Sequence, residues 1–386
     1  GDKVYRNVHN KSLMAAVIGS ESMSRGARIC SAHIDSPRLD LKPMPLYESS
    51  GIGYFKTHYY GGIKKYQWTA LPLALHGVVY LKDGARVDVC IGEDENDPVL
   101  YISDLMPHIA KDQVAKTGAN VIGGETLNLI GGSLPFDEDE GVKLNILSIL
   151  YEKYGMEERD FMTAELSAVP AQKSREVGLD RSMVAAYGMD DKVCAYPSLR
   201  ALEELEVPQH TCVVFLADKE EIGSEGVTGL RSEAYAGFLR DLCADAKVCD
   251  RETFRNSLCI SADVGGAYDP NFADAYEANN SCYIGNGVAV SKYTGSRGKG
   301  GCSDAPAELM SRITRILDAE GVAWQTGEYG KVDQGGAGTV AVDIAKFGID
   351  VIDVGVPLLS MHAPSELAAK SDIYAMYQCC KAFFKD

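Results

Sequence analysis

The chain has no long hydrophobic run and no surplus of positive charge. None of its apolar runs approaches the ~20 residues that a membrane-spanning helix needs. Lysine and arginine number 38 against 55 aspartates and glutamates, which gives a net charge of -17. A charge of that sign repels nucleic acid and anionic membrane surfaces. We therefore expect neither nucleic acid nor a membrane to be a partner.

Cysteine pairs of the CxxC type are also missing, although the chain has 11 cysteines. That number is odd, and the adjacent Cys379 and Cys380 cannot form an ordinary bridge between separate elements. Four others lie in or beside apolar runs: Cys194, Cys212, Cys259 and Cys282. We interpret the cysteines as reduced, buried thiols of a cytoplasmic protein. A disulfide framework or a zinc site built on cysteine is the less favoured interpretation.

We expect no signal peptide, because residues 1–3 lead directly into polar and strand-like sequence. The chain has 386 residues, of which 46% are hydrophobic. That length predicts one large domain and a smaller one rather than a single core. Short strand-like runs at residues 75–80, 85–91 and 98–102 follow one another without helices between them. They predict a mostly antiparallel insertion at residues 47–177, within a discontinuous domain of residues 1–46 and 178–386.

Imidazole and carboxylate side chains follow two predicted strands. The run at residues 27–32 is followed by His33 and Asp35, and the run at 211–217 by Glu220 and Glu221. His33 and Asp35 share one face if the chain stays extended. A metal ligand with its orienting carboxylate is one interpretation, and a core histidine with a turn aspartate is the other. For the two glutamates the alternatives are a metal site and a solvated acidic turn.

The same pattern recurs later in the chain. Asp263 follows the predicted strand at residues 257–262, and His362 follows the one at 350–356. Asp190 lies where a helix is predicted to begin, so helix capping is its alternative role. Open α/β sheets bind ligands outside the carboxyl ends of their strands. These residues supply two imidazoles and three carboxylates as possible ligands, and one glutamate that is not needed as a ligand. Such a set suits a two-metal site of zinc, cobalt or manganese and predicts a metallohydrolase.

A basic, glycine-rich loop occupies residues 292–301. It lacks the GxxxxGK[ST] spacing of a Walker A motif. Its backbone amides and cationic side chains could still bind an anion, and a flexible surface loop is the alternative.

Several motifs together resemble the aspartyl aminopeptidase family, in its bacterial branch. They are SAHIDSPRLDLKPMPLYE (residues 31–48), HYYGGIKKYQW (58–68), IGEDENDPV (91–99), GLDRSMV (178–184), DKEEIGSEG (218–226), SKYTGSRGK (291–299), KVDQGG (331–336) and SMHAPSE (360–366). They extend over essentially the whole chain. The family implies a zinc-peptidase-like three-layer α/β/α catalytic domain with a β-rich dimerisation domain inserted.

The resemblance also implies roles for single residues. Two divalent metal ions, zinc before cobalt or manganese, would be held by five ligands: His33, Asp190, Glu221, Asp263 and His362, with Asp190 as the bridge. Glu220 matches the general base that activates the metal-bridged water, and Asp35 matches the carboxylate that orients His33. Lys292 matches the lysine that reads the acidic side chain of the substrate. His108 matches a histidine that reaches the active site of a neighbouring subunit and stabilises the oxyanion.

The expected function is the removal of N-terminal Asp or Glu from peptides by a homo-oligomer, dimers assembled into a tetrahedral dodecamer. The family usually carries several tens of residues before the position of Gly1, so we expect this chain to lack that N-terminal segment. One alternative is a catalytically silent assembly or cargo protein on the same scaffold. Another is a related aminopeptidase of broad or neutral specificity.

Overall fold

The computed structural model describes residues 1–138 and 141–386. Over these residues its strands are Lys3–Val8 (β1), Ser12–Val17 (β2), Arg28–His33 (β3), Arg38–Ser49 (β4), Ile52–Tyr60 (β5), Pro72–Tyr80 (β6), Arg86–Ile91 (β7), Leu100–Tyr101 (β8), Asn128–Gly132 (β9), Ala164–Pro170 (β10), Arg175–Val177 (β11), Met183–Ala186 (β12), Cys212–Ala217 (β13), Leu258–Ser261 (β14), Gly265–Gly266 (β15), Val288–Ser291 (β16), Trp324–Thr326 (β17), Asp350–Gly355 (β18), Pro357–Leu359 (β19) and Glu366–Ala369 (β20). The helices over the same residues are Lys111–Val114 (α1), Val142–Tyr154 (α2), Met189–Glu203 (α3), Glu233–Asp245 (α4), Asp250–Asn256 (α5), Ala307–Ala319 (α6), Ala341–Ala345 (α7) and Lys370–Lys385 (α8).

The chain divides into two compact units. The larger unit comprises Gly1–Ser36, Arg175–Met361 and Glu366–Asp386, and the smaller unit comprises Pro37–Ser174 and His362–Ser365. The boundaries lie at 36/37 and 174/175 rather than at the predicted 46/47 and 177/178. The reason at the first boundary is that β4 is one strand, paired with β5 at both of its ends.

The larger unit is built on an eight-stranded sheet of order β1-β2-β13-β3-β14-β18-β16-β17. Its four central strands β13, β3, β14 and β18 run parallel. Their sequences are nearly continuous apolar runs because both faces of a parallel sheet are covered. Since the four strands point the same way, the residues that follow them meet at one edge of the sheet.

Two hydrophobic clusters cover the two faces of this sheet. Helices α3, α6 and α8 contribute to one cluster, as with Leu202, Ile313 and Phe383. Helices α4, α5 and α7 contribute to the other, which includes Phe238 and Ile344. The predicted three-layer α/β/α fold is therefore confirmed.

A second, five-stranded sheet of the larger unit has the order β11-β12-β20-β19-β15. It pairs β12 with β20 in antiparallel register, so Ala186 lies opposite Glu366. This pairing brings residues 366–369 beside the chain that enters α3.

The smaller unit is a seven-stranded antiparallel sheet of order β10-β4-β5-β9-β8-β6-β7. Strand β10 pairs with both β4 and β6, so the sheet closes on itself. Closure removes two edges that would otherwise expose unpaired backbone groups. The predicted β-rich insertion is present, and its role in dimerisation stays a prediction.

The predicted thiol chemistry also agrees with the structure. Cys194, Cys212, Cys259 and Cys282 are buried, and all eleven cysteines are free thiols. In the described parts of the chain, no helix has the length and apolar character to cross a bilayer.

One carboxyl group lies inside the central sheet. Asp353 on β18 is 4% exposed, and its Oδ1 accepts a hydrogen bond of 2.7 Å from Thr339 Oγ1. Burial raises the pKa of Asp353 from 3.8 to about 6. The folded state therefore holds this proton more tightly than the unfolded state does.

We expect Asp353→Asn to remove a pH-dependent loss of stability. Because the folded-state pKa of Asp353 is raised, the contribution of this residue to the free energy of unfolding is complete below pH ~4 and is lost as the pH rises through about 6. The loss in the free energy of unfolding is at most about 3 kcal/mol. Asparagine keeps an acceptor for Thr339 and carries no charge. Urea unfolding of both proteins at pH 4.5 and 7.5, at equal metal loading, measures the difference. Parallel stability curves for the two proteins would contradict the prediction.

Candidate metal centre

His33 lies at the carboxyl end of β3 and contacts three carboxylates. Its Nδ1 is 3.3 Å from Asp35 Oδ1 and 3.1 Å from the backbone oxygen of the same residue. Its Nε2 is 3.0 Å from Asp190 Oδ1 and 3.8 Å from Asp263 Oδ1. His33, Asp190 and Asp263 each offer one ligand atom, and these atoms lie within 4.8 Å of one another. Sheet register explains the grouping, since β3 and β14 are parallel neighbours and Asp263 lies just beyond β14.

Asp190 enters this group from the start of α3. Gly188, with φ 70°, is the N-cap residue of that helix, and no side-chain hydrogen bond caps it. Asp190 (φ -76°, ψ 108°) and Asp191 (φ -114°, ψ 25°) depart from helical geometry, and the peptide bond between them is cis. The Asp190 carboxylate faces His33, with Oδ1 3.0 Å from His33 Nε2.

Glu220 and Glu221 lie on a single helical turn, Glu220–Ile222, directly after β13. Lys219 turns the chain there with φ 67°. The backbone N–H groups of both glutamates donate to the two carboxylate oxygens of Asp35, each over 3.1 Å. A Glu221 carboxylate oxygen lies within 4.8 Å of one from Asp190. A turn anchored in this way on a buried carboxylate is not the solvated turn of the alternative interpretation.

The electrostatics of the group favour a cation. Burial raises the pKa of Asp263 well above its ordinary range, and the charges of Asp191, Glu220 and Asp190 add to the effect against the opposing charge of His33. For His33 burial lowers the pKa, but hydrogen bonds to Asp190 and Asp35 outweigh it and the net pKa is well above the ordinary value. Buried carboxylates that repel one another are stabilised by a divalent cation, and imidazole with carboxylate oxygens suits zinc, cobalt or manganese.

Two polar residues that the sequence did not single out, Glu366 and Ser36, bind the main chain of Asp190, and a third, Lys192, binds Ser36. Glu366 Oε2 accepts a hydrogen bond of 3.0 Å from the Asp190 N–H. Ser36 Oγ donates to the Asp190 carbonyl oxygen over 2.8 Å, and Lys192 Nζ donates to Ser36 Oγ over 2.9 Å. Ser36 and Glu366 lie inside motifs that carry the family resemblance. Their position in these motifs is the sequence feature that could have identified them as site residues.

Two of the predicted site residues lie in the smaller unit. His362 begins the segment His362–Ser365, and its Nδ1 lies 2.7 Å from the backbone oxygen of Gly62. His108 is exposed on the single turn Pro107–Ile109. Their predicted roles in the metal site and in a neighbouring subunit stay predictions.

Lys292 is exposed and directly follows β16. That strand runs antiparallel to β18, with Ser291 opposite Asp353. Strand direction therefore takes Lys292 away from the edge where His33 and Asp263 meet, and its role in substrate recognition stays a prediction.

The basic loop encloses a cavity with a neighbouring loop. Arg297, Lys299 and Lys331 line this space of about 40 Å³. Tyr329 also lines it, and the Tyr329 hydroxyl donates to the backbone oxygen of Val264, the residue after Asp263. At about 10–15 Å³ per water-sized group, the cavity has room for the three heavy atoms of a carboxylate.

Carboxylates and an imidazole that converge at the carboxyl edge of an α/β sheet are typical of a metal-dependent hydrolase. Comparison with known proteins agrees with that class. The family model described as aminopeptidase I zinc metalloprotease (M18) matches residues 1–384. The chain is 50% identical to a probable M18 family aminopeptidase 1 of Clostridium acetobutylicum, over 100% of this chain and 84% of that protein.

Solved structures give the same result. The crystal structure of the M18 aminopeptidase from Thermotoga maritima has a TM-score of 0.96 and 43% identity, and the match covers 100% of this chain and 87% of that one. The S. cerevisiae mApe1 dodecamer has a TM-score of 0.78 over 100% of this chain and 85% of that one, and at 21% identity it shows the fold alone. This chain belongs to the M18 family of zinc metalloproteases, and its class of activity is that of an aminopeptidase.

Proposed function

We propose that this aminopeptidase binds two divalent metal ions, zinc before cobalt or manganese, and releases N-terminal Asp or Glu from peptides. The observation that carries the proposal is the position of Asp190, whose carboxylate lies near both the His33–Asp263 pair and Glu221. Asp190 could therefore bridge two ions, and His33 and Asp263 would be among the other ligands of the two-metal centre. His362 is the remaining ligand in the proposal. It lies four residues before Glu366 in sequence, and the Glu366 carboxylate accepts a hydrogen bond from the Asp190 N–H.

Each protein group has a defined task in peptide hydrolysis. Bound zinc supplies Lewis-acid activation of water and polarises the scissile carbonyl. Asp35 accepts a hydrogen bond from His33 Nδ1, which leaves Nε2 as the ligand atom. Glu220 takes a proton from the attacking water and passes it to the leaving amine as the new C–O bond forms and the C–N bond breaks. The bond from the Glu220 N–H to Asp35 anchors this general base beside the ligands.

Metal stoichiometry and product release test the proposal together. Protein stripped by a chelator is titrated with zinc, cobalt or manganese, bound metal is counted per chain, and release of Asp from a short peptide is followed. We expect two ions per chain and activity that returns with the second. A chain that binds two ions and hydrolyses no peptide would favour the catalytically silent alternative, although all five ligands and Glu220 are present in the sequence.

The preference for acidic residues is supported by the cationic cavity, which is lined by Tyr329, whose hydroxyl binds the backbone of Val264. Charged hydrogen bonds contribute about 1.5–3 kcal/mol each, so loss of one lowers kcat/KM roughly 10–100-fold. We expect this loss for an Asp-peptide in Arg297→Met or Lys331→Met, with a Leu-peptide nearly unaffected. The predicted role of Lys292 is tested by Lys292→Met in the same assay.

Arg240→Met is the matched control for this series, since Arg240 pairs with Glu233 on the surface of α4. Its kcat/KM should equal that of the wild type for both peptides. A wild-type preference for Leu over Asp would contradict the acidic specificity and support the broad or neutral alternative.

We also propose a cytoplasmic homo-oligomer, with dimers assembled into a dodecamer. The free thiols support the compartment, and the dodecamer of the S. cerevisiae protein with the same fold supports the assembly. In this proposal His108 acts on the oxyanion in a neighbouring subunit. Light scattering gives the subunit number, and a monomer with full activity would contradict that role.

A further inference from the structure

We propose that Glu366, Ser36 and Lys192 form a main-chain clamp on Asp190 and act as positioning residues for the metal centre. The inference rests on the proposed role of Asp190 as a metal ligand. It adds three residues that do not belong to the ligand set: Glu366 and Ser36 bind the Asp190 backbone, and Lys192 binds Ser36.

The backbone of Asp190 needs partners from outside its own helix. Asp190 is 3% exposed, and its φ and ψ take its peptide groups out of the helical hydrogen-bond pattern. A buried N–H or C=O without a partner costs free energy, so buried backbone groups are almost always paired. The contacts that supply these two partners therefore decide which backbone geometry Asp190 adopts.

Glu366 supplies the acceptor for the Asp190 N–H. Glu366 is 2% exposed and begins β20, opposite Ala186 at the end of β12. The pairing of β12 with β20 fixes the backbone of Glu366 opposite Ala186, and Ala186 lies four residues before Asp190 in sequence. Its Oε2 lies 3.0 Å from the Asp190 nitrogen, and a hydrogen bond to a carboxylate is stronger than one to a neutral acceptor.

Ser36 and Lys192 supply the donor for the Asp190 carbonyl. A serine hydroxyl has one proton, and a lysine ammonium only donates. The Ser36 proton is therefore used at the Asp190 carbonyl oxygen, 2.8 Å away. The Ser36 oxygen accepts from Lys192 Nζ, 2.9 Å away. A cation that donates to a hydroxyl polarises it and strengthens the hydrogen bond that the hydroxyl gives.

The clamp sets the direction of the Asp190 side chain. Asp190 and Asp191 are the two residues within α3 that depart from helical angles. Without the clamp, the Asp190 backbone loses the two partners that fix its orientation, and the Asp190 carboxylate is held less firmly against His33 Nε2. Loss of partners that orient metal ligands typically lowers metal affinity 10–100-fold. We expect that range here for zinc.

The experiment is a double-mutant cycle on metal affinity. Zinc affinity is measured by competition with a chromophoric chelator for the wild type, Lys192→Met, Ser36→Ala and the double variant. Because Lys192 acts through Ser36 in this proposal, we expect each single variant to lose affinity 10–100-fold and the double variant to lose no more than Ser36→Ala. The visible spectrum of the cobalt-loaded protein should shift in the same variants.

Controls separate this role from folding and from charge. Ser36→Thr keeps a hydroxyl and should restore affinity, and Lys192→Arg keeps a donor and should restore most of it. Lys381→Met removes an equal charge from the surface of α8, where Lys381 binds Glu204, and should leave zinc affinity unchanged. The melting temperatures of the metal-free variants report any loss of fold.

Two results would overturn the clamp. One is unchanged zinc affinity in Ser36→Ala. The other is a full effect of Lys192→Met in the Ser36→Ala background, because it would mean that the lysine charge acts independently of Ser36. A wild-type protein that binds zinc without releasing Asp would contradict the proposed function, and the affinity comparison would still decide the clamp.

Discussion

Glu220→Gln is expected to lower kcat about 10²–10⁴-fold, the usual contribution of a general base. Glutamine has nearly the same size and shape as glutamate but cannot accept the proton of the attacking water. The backbone hydrogen bond from residue 220 to Asp35 Oδ1 does not involve the side chain, so the turn should keep its geometry. The measurement is steady-state release of Asp from a short peptide by metal-loaded protein.

Metal content is the control for this substitution. Glu220 is not a ligand in the proposal, so the variant should bind as much metal as the wild type. Loss of a metal ion would reassign Glu220 from base to ligand. Full activity with full metal content would place the general base at another residue.

Asp263→Asn is expected to change stability in opposite directions with and without metal. In the metal-free protein, burial holds the pKa of Asp263 above its ordinary value. Its stabilising contribution is therefore complete only below that ordinary value and is lost as the pH rises. At pH 7.5, above the ordinary pKa, asparagine removes the free-energy cost of burying this acidic group, so the metal-free variant should melt at a higher temperature than the metal-free wild type.

With zinc the order should reverse. Four ligands hold a protein-bound zinc with roughly 10–16 kcal/mol, so one ligand accounts for about 3–4 kcal/mol and its loss weakens binding roughly 10²–10³-fold. Saturating zinc then raises the melting temperature of the wild type more than that of Asp263→Asn. Thermal melts of both proteins with chelator and with zinc give all four values. A variant that is less stable in both conditions would mean that Asp263 has a mainly structural role.

Much of the site was predictable because the ligands follow strands. The apolar runs before His33, Glu220 and Asp263 are short and unambiguous, and parallel strands place their next residues at one edge. The observed strands β3, β13 and β14 end within one or two residues of the predicted ends. Side-chain identity and position after a strand were sufficient to predict that His33 and Asp263 lie together, and their role as metal ligands stays a prediction.

The surroundings of Asp190 were not predictable in the same way. Its non-helical backbone depends on Glu366, which arrives through the pairing of β12 with β20, and on Ser36, which lies after a different strand. No local pattern encodes contacts between segments this far apart in sequence. The first boundary between the compact units differs from the predicted 46/47 for a related reason, since β4 continues across residues 46 and 47 as one paired strand.

The order of strands in the larger sheet has a consequence for biosynthesis. Strand β3 is made early, but both of its neighbours, β13 and β14, begin at Cys212 and Leu258. A ribosome adding about 5–20 residues per second needs about 10–40 s to travel from the end of β3 to the start of β13. During that time β3 has neither of its parallel neighbours on the nascent chain, and β2 has only β1 as a partner. They are the segments that a chaperone at the exit tunnel would shield, and in the proposed metal centre the ligand pair of His33 and Asp263 is complete only after Asp263 has been translated.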